Sequence, residues 1–202
     1  MKIILNIALG LALLLLLPAS LVGQSWPLLP DKYFLWGNSS NKEGNLWDQA
    51  WRVAVNPNGD KVFVAGEEET TNGGSAFAVK AYRATDGKLL WKKSYNREGT
   101  GWDGAFTVTA DNNYVYVAGE TVTTSGGVGF SVRAYKAKDG KLVWENYYDR
   151  EGALLDGAWK VVLYNGVLYV TGESETAAGG TAMTVRAYNA DTGSLLWSDN
   201  YD

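Results

Sequence analysis

The chain has 202 residues and a formal net charge of −4 at pH 7, with 46% hydrophobic and 13% aromatic residues and neither Cys nor His. This is a globular composition, not a disordered or collagen-like one, and it excludes disulfides, the usual zinc sites and His-based triads. Its 18 basic residues against 22 acidic ones form no basic cluster, which argues against nucleic acid as a partner.

At the N-terminus, Lys2 is followed by an apolar run from Ile3 to Leu17, then Pro18 and small residues to Gly23. Residues 1–23 read as a signal peptide cleaved before Gln24, which predicts export to the periplasm or the extracellular space. An uncleaved anchor is the alternative, because Ile3 to Val22 is long enough to span a bilayer. Residues 24–32 read as a linker.

From residue 33 to 202 the chain repeats. Trp91, Trp144 and Trp197 are 53 residues apart, as are Gly66, Gly119 and Gly172 within VAGE, VAGE and VTGE. A fixed period of this length marks a repeat architecture. Residues 33–48 supply a lone fourth strand and a linker, with Trp36 aligned on Trp91, and three full units follow at 49–103, 104–156 and 157–202. Two-residue periodicity, as in FAVKAY, predicts strands, and Asn58-Gly59, Asn112-Asn113 and Asn165-Gly166 predict hairpin turns.

Each unit therefore reads as a four-stranded antiparallel meander with apolar residues on both faces, which must stack against its neighbours. The expected fold is all-β: a β-propeller-type array of three full repeats plus one N-terminal strand. Closed propellers have about four to eight blades. Three blades leave three possibilities: a piece of a longer propeller, copies that associate through open blade edges, or a short open array.

The segment AYNADTGSLLW, carrying Ala187, Asn189, Thr192, Gly193 and Trp197, resembles the tryptophan docking motif of the quinoprotein-like (PQQ-like) β-propeller repeat. The stretch from Asp103 to Trp144 is similar to the bacterial β-propeller repeat. The resemblance covers nearly everything after residue 31 and implies four-stranded blades with the Trp packed between them. It implies no single activity. Some relatives are dehydrogenases that hold pyrroloquinoline quinone and Ca²⁺ at the ring centre, and others only bind proteins.

The residues with chemical potential recur in register. Asp48, Asp103 and Asp156 precede the first strand of each unit, and Glu67, Glu120 and Glu173 follow the second. A single active site needs unlike residues at one place, whereas a fold needs like residues in every unit, so these carboxylates are assigned structural roles. Lys80, Arg133 and Arg186 are expected to pair with the Glu set across the hairpin. Tyr82, Tyr135, Tyr188 and the Trp row are assigned to blade packing. The G-x-G-x-x-G match at Gly99–Gly104 precedes a strand, not a helix, and is discounted as a phosphate site.

No catalytic, cofactor-binding or metal-binding residue is assigned, and no cofactor is called. Places where the repeat breaks are the binding candidates: Glu68 and Glu69, the loops TTNGGS, TTSGGV and TAAGGT, and Trp47 and Trp102 against Leu155. The expected function is a non-catalytic exported scaffold with a protein or cell-surface partner. A fragment of a PQQ-dependent dehydrogenase and a carbohydrate-binding module are the alternatives. Membrane contact is expected only if the N-terminal segment stays uncleaved.

Overall fold

A computed structural model describes residues 35–39, 47–71, 73–97, 101–123, 126–150 and 155–202. The signal-peptide reading of 1–23, the linker at 24–32 and most of the segment at 33–48 lie outside the described residues. Among the described residues every regular element is a strand, and no helix is long and apolar enough to cross a membrane.

Twelve strands form three four-stranded antiparallel sheets. The first holds β1 (Asp48–Val55), β2 (Lys61–Glu69), β3 (Ser75–Arg83) and β4 (Leu89–Tyr95); the second holds β5 (Gly104–Ala110), β6 (Tyr114–Val122), β7 (Val128–Lys136) and β8 (Leu142–Tyr148). The third holds β9 (Asp156–Tyr164), β10 (Val167–Glu175), β11 (Thr181–Asn189) and β12 (Leu195–Tyr201). Strands within each sheet follow chain order, as short turns dictate. The first strands β1, β5 and β9 pack together while the last strands lie farther apart, and no sheet closes on itself. This is the expected propeller-type array, left open.

The core lies between the sheets. Phe63, Phe77, Val79 and Trp91 of the first sheet pack on Val115, Val117 and Tyr135 of the second. Phe130, Val132 and Trp144 pack in the same way on Leu168, Val170 and Tyr188 of the third. In the middle sheet, Phe130 and Val132 on one face and Ser131 and Arg133 on the other are all buried, because a sheet stands on either side.

Each junction is fastened by one indole. Trp91 donates its Nε1–H to the Ala137 carbonyl at 3.0 Å, and Trp144 donates to Ala190 at 2.8 Å. Their rings lie 6.4 Å from those of Tyr135 and Tyr188. Trp36 repeats the arrangement on the first sheet, donating to Ala84 at 2.7 Å and stacking on Tyr82 at 6.0 Å. The segment at 35–39 thus takes the place of a fourth strand's Trp, although those residues join no strand ladder. The receiving turns end in Gly87, Gly140 and Gly193, at φ of 68°, 69° and 73°, where a Cβ would come within 2.5 to 2.7 Å of the indole. Only glycine meets both demands.

A second repeated device lies inside each sheet. The ladder between the first and second strands slips once, leaving Trp51, Phe106 and Trp159 as the extra residues of a bulge. The bulge presses a carbonyl oxygen onto the facing glycine. A Cβ at Gly66, Gly119 or Gly172 would lie 1.9, 1.9 or 1.8 Å from the oxygen of Gln49, Gly104 or Gly157. The glycine of VAGE is therefore a contact requirement.

Two substitutions test these devices. Trp144→Ala removes a large buried aromatic and its hydrogen bond and lowers the unfolding free energy by about 3 to 5 kcal/mol. Gly119→Ala, which forces a backbone strand away from its neighbour, costs about 3 kcal/mol or more. Urea unfolding of each variant measures both, and a loss below about 1 kcal/mol for either removes the device it probes.

Candidate functional site

The recurring carboxylates are taken up by the fold. The Asp103 carboxylate accepts the backbone N–H of Arg97 at 2.6 Å and of Val122 at 2.7 Å. Asp156 does the same for Arg150 at 2.6 Å and Glu175 at 3.1 Å. Each ties the crossing segment between sheets to the end of a second strand. Burial raises the Asp156 carboxyl above its usual range despite those two donors.

The basic row does not meet the Glu row. Residues directly opposite in an antiparallel pair share a face: Glu67 faces Phe77, whereas Lys80 faces Val64 on the other side. Lys80 instead pairs with Glu68 at 2.7 Å. Arg133 pairs with Glu145 and donates to the Tyr135 hydroxyl, and its guanidinium lies 3.7 Å over the Tyr95 ring of the first sheet. Arg186 repeats this on Tyr188 and over Tyr148 at 3.9 Å. The two arginines therefore join neighbouring sheets, whereas the Lys80 pair stays within the first.

The Gly-pair loops are also structural. Thr70, Thr123 and Thr176 each accept from the glycine three residues later and donate to the carbonyl four residues later, closing the same tight turn three times. Glu69 and Glu175 accept the backbone N–H of Trp47 at 2.5 Å and Leu155 at 3.2 Å, so both acids fix the rim of the sheet.

The exposed apolar surface lies on the first strands and the segments that enter them. Trp47, Trp102 and Leu155 stand exposed at the entry to β1, β5 and β9. Four residues farther on, or three after Asp48, Asp103 and Asp156, come the bulge residues. Phe106 stacks on Trp159 at 5.0 Å and meets Trp51 edge-on at 6.1 Å, with both tryptophans partly open to solvent. The sequence singled out the entry row but not the bulge row. Its signal was an aromatic three residues after each recurrent Asp.

Glu120 has the most strongly shifted carboxyl among the described residues for which a value is resolved. It lies between the second and third sheets, its carboxylate facing Gly157, and burial, aided by the charges of Glu173, Glu67 and Asp103, pushes its pKa up to about 7. Burial likewise raises Glu67. The folded chain thus retains a proton on Glu120 that the unfolded chain releases near pH 4.5. The contribution of Glu120 to stability is therefore complete below that pH and is lost as pH rises through about 7, by about 3 kcal/mol in total. Urea unfolding at pH 5.5 and pH 8 should show the fall, and Glu120→Gln should largely flatten it. An unchanged slope in the variant would place the titration elsewhere. Among the described residues, no three Asp, Glu, His or Cys side chains gather where they would hold a metal ion.

Comparison with known proteins places this geometry. Among solved structures, the quinohemoprotein alcohol dehydrogenase ADHIIG from Pseudomonas putida HK5 is similar, at 18% identity and a TM-score of 0.51, over 70% of this chain and 25% of that one. The quinohemoprotein alcohol dehydrogenase from Comamonas testosteroni matches at 14% identity and a TM-score of 0.49, over 69% and 26% of the two chains. BamB from Moraxella catarrhalis matches at 14% and 0.34, over 75% and 62%. The chain thus spans about a quarter of each dehydrogenase and under two-thirds of that BamB. No curated protein matches it. The profile of the family described as "Outer membrane protein assembly factor BamB" matches residues 75–202, well over half of the sequence. With its indole-docked four-stranded sheets, the chain belongs to this family of PQQ-like β-propeller-repeat proteins.

Proposed function

We propose that the protein is a non-catalytic exported scaffold that binds another protein through the entry rim of its first strands. The observation that carries this reading is the pair of apolar rows on the first strands: exposed Trp47, Trp102 and Leu155 at their entries, and the ring contacts of Trp51, Phe106 and Trp159 within them. Contiguous exposed apolar surface is characteristic of interaction sites, and Trp is over-represented where binding energy concentrates. Family membership supports the reading, because the family's description names an assembly factor. Export rests on the N-terminal apolar run.

The quinone enzymes among the similar structures suggest a cofactor, and the donor set here does not fit it. Asp103 and Asp156 are held by backbone N–H groups. Glu120 is buried against Gly157 of β9, where burial favours its neutral form, and among the described residues no three acids gather to hold a cation.

A photo-crosslinking amino acid at position 102 in intact cells should yield a discrete protein adduct, and Trp51→Ser with Trp159→Ser should reduce its yield several-fold. The reading fails if no protein adduct forms, or if glycans on an array bind the rim instead. It fails equally if the purified chain, supplied with quinone and Ca²⁺, oxidises alcohols with a dye acceptor.

A further inference from the structure

A cavity of about 270 Å³ opens between the first two sheets, with Tyr95 and Arg97 on one side and Ser131, Arg133 and Tyr147 on the other. Two cations clamp it in a crossed arrangement. The Arg133 guanidinium, from the second sheet, lies 3.7 Å over the Tyr95 ring of the first, and Arg97, just past β4, lies 3.9 Å over the Tyr147 ring of the second. Stacking occupies the face of each guanidinium and leaves its N–H edge for a planar acceptor. Arg133 engages the Tyr135 hydroxyl through Nε and Glu145 through one Nη, which leaves its other Nη as a donor. The lining carries two guanidiniums and the Glu145 carboxylate, a balance of one positive charge.

Two hydroxyls in the lining are the second mark of a site. Thr121 and Ser131 are only 1% and 4% exposed, yet neither hydroxyl has a hydrogen-bond partner among the described residues. Buried polar groups are nearly always partnered. At the next junction the residues of the same repeat positions, Ser174 and Thr184, bond to each other at 2.7 Å, and Thr184 bonds on to Asn200 at 2.8 Å. Tyr147 stands where that junction has Asn200, and its hydroxyl donates to Asp149 at 3.3 Å. Gly129 makes room for it, since a Cβ there would lie 2.1 Å from the Tyr147 ring, and the other two sheets carry Ala76 and Ala182 at that position. Gly129 and Tyr147 thus break the repeat together, at the one place where the hydroxyls are left to a ligand.

We propose that this cavity binds a small hydroxylated carboxylate of the sugar-acid class, its carboxylate received by Arg97 and Arg133 and its hydroxyls by Thr121 and Ser131. Guanidinium edges match a planar carboxylate, and the charge balance matches a single anion. Each protein hydroxyl can both donate to and accept from a ligand hydroxyl. The volume lies just under the range of sites for drug-sized ligands and suits one sugar ring. The site is independent of the rim reading, because it uses none of the exposed aromatic residues of the first strands, so the failure of either leaves the other standing.

Isothermal titration of the full chain with D-galacturonate tests it. Binding is expected with a Kd of about 1 mM or tighter. Galactose, which lacks the carboxylate, and acetate and inorganic phosphate, which lack the ring hydroxyls, should bind at least about tenfold more weakly. Arg97→Gln alters an exposed side chain and should weaken galacturonate binding by about tenfold or more. Thr121→Val with Ser131→Ala should weaken it by a similar factor while the urea midpoint stays unchanged or rises, because the hydroxyls removed have no partner to lose. A galacturonate trimer separates a polymer from a free sugar acid as the source, and binding of either form supports the site. The proposal is overturned if neither form binds up to about 20 mM, if any control binds as tightly, or if binding survives both variants.

Discussion

The structure depends on one interaction used three times: an indole N–H donated to a turn carbonyl of the next sheet. A four-stranded sheet of this size has apolar residues on both faces and cannot shield them alone. The indole solves two problems at once, since its ring covers apolar surface while its single polar group finds a fixed acceptor. Everything nearby is arranged around it. The glycine of the receiving turn gives it room, the tyrosine lies against its ring, and an arginine from the receiving sheet covers the tyrosine that follows it on the donating strand. Stability in such an array is close to a sum over neighbouring junctions, so each indole governs one junction and has little influence on the other.

The same economy engages residue types that elsewhere suggest chemistry. A carboxylate that accepts two backbone N–H groups, as Asp103 and Asp156 do, is fixed in place and has little freedom to reach a substrate. Arginines that stack on the tyrosine of a neighbouring sheet are engaged as packing elements. Among the described residues, exposed apolar side chains remain along the first strands and the segments that enter them.

Much of this was legible in the residues, and the failures are instructive. The 53-residue spacing of Trp91, Trp144 and Trp197 revealed both the repeat and the docking role, because an interaction made once per unit leaves a mark once per unit. Trp197 matches Trp144 in its sequence surroundings, yet it is 48% exposed where Trp144 is 9% exposed. The bulge was hidden by chemistry that varies at one position, with Trp51, Phe106 and Trp159 sharing a location and not an identity. The expected pairing of Lys80 with Glu67 failed because it ignored which face each residue occupies; a partner for Lys80 had to come from the alternate positions, and Glu68 is one of them.

The contact between bulge and glycine has a further consequence for how the chain finds its native pairing. Alternation of inward and outward residues forbids a slip by one position but tolerates a slip by two, which returns every side chain to its own face. Strands such as VFVAGE and VYVAGE, with valines at every second place, invite that error. A two-residue shift would bring Val64 or Glu68 in the first sheet, and Val117 or Thr121 in the second, under a carbonyl that admits only hydrogen. Each sheet therefore carries its own alignment mark, and a misaligned hairpin is rejected during folding by a collision at one atom, long before the indole of the next unit arrives to fasten it.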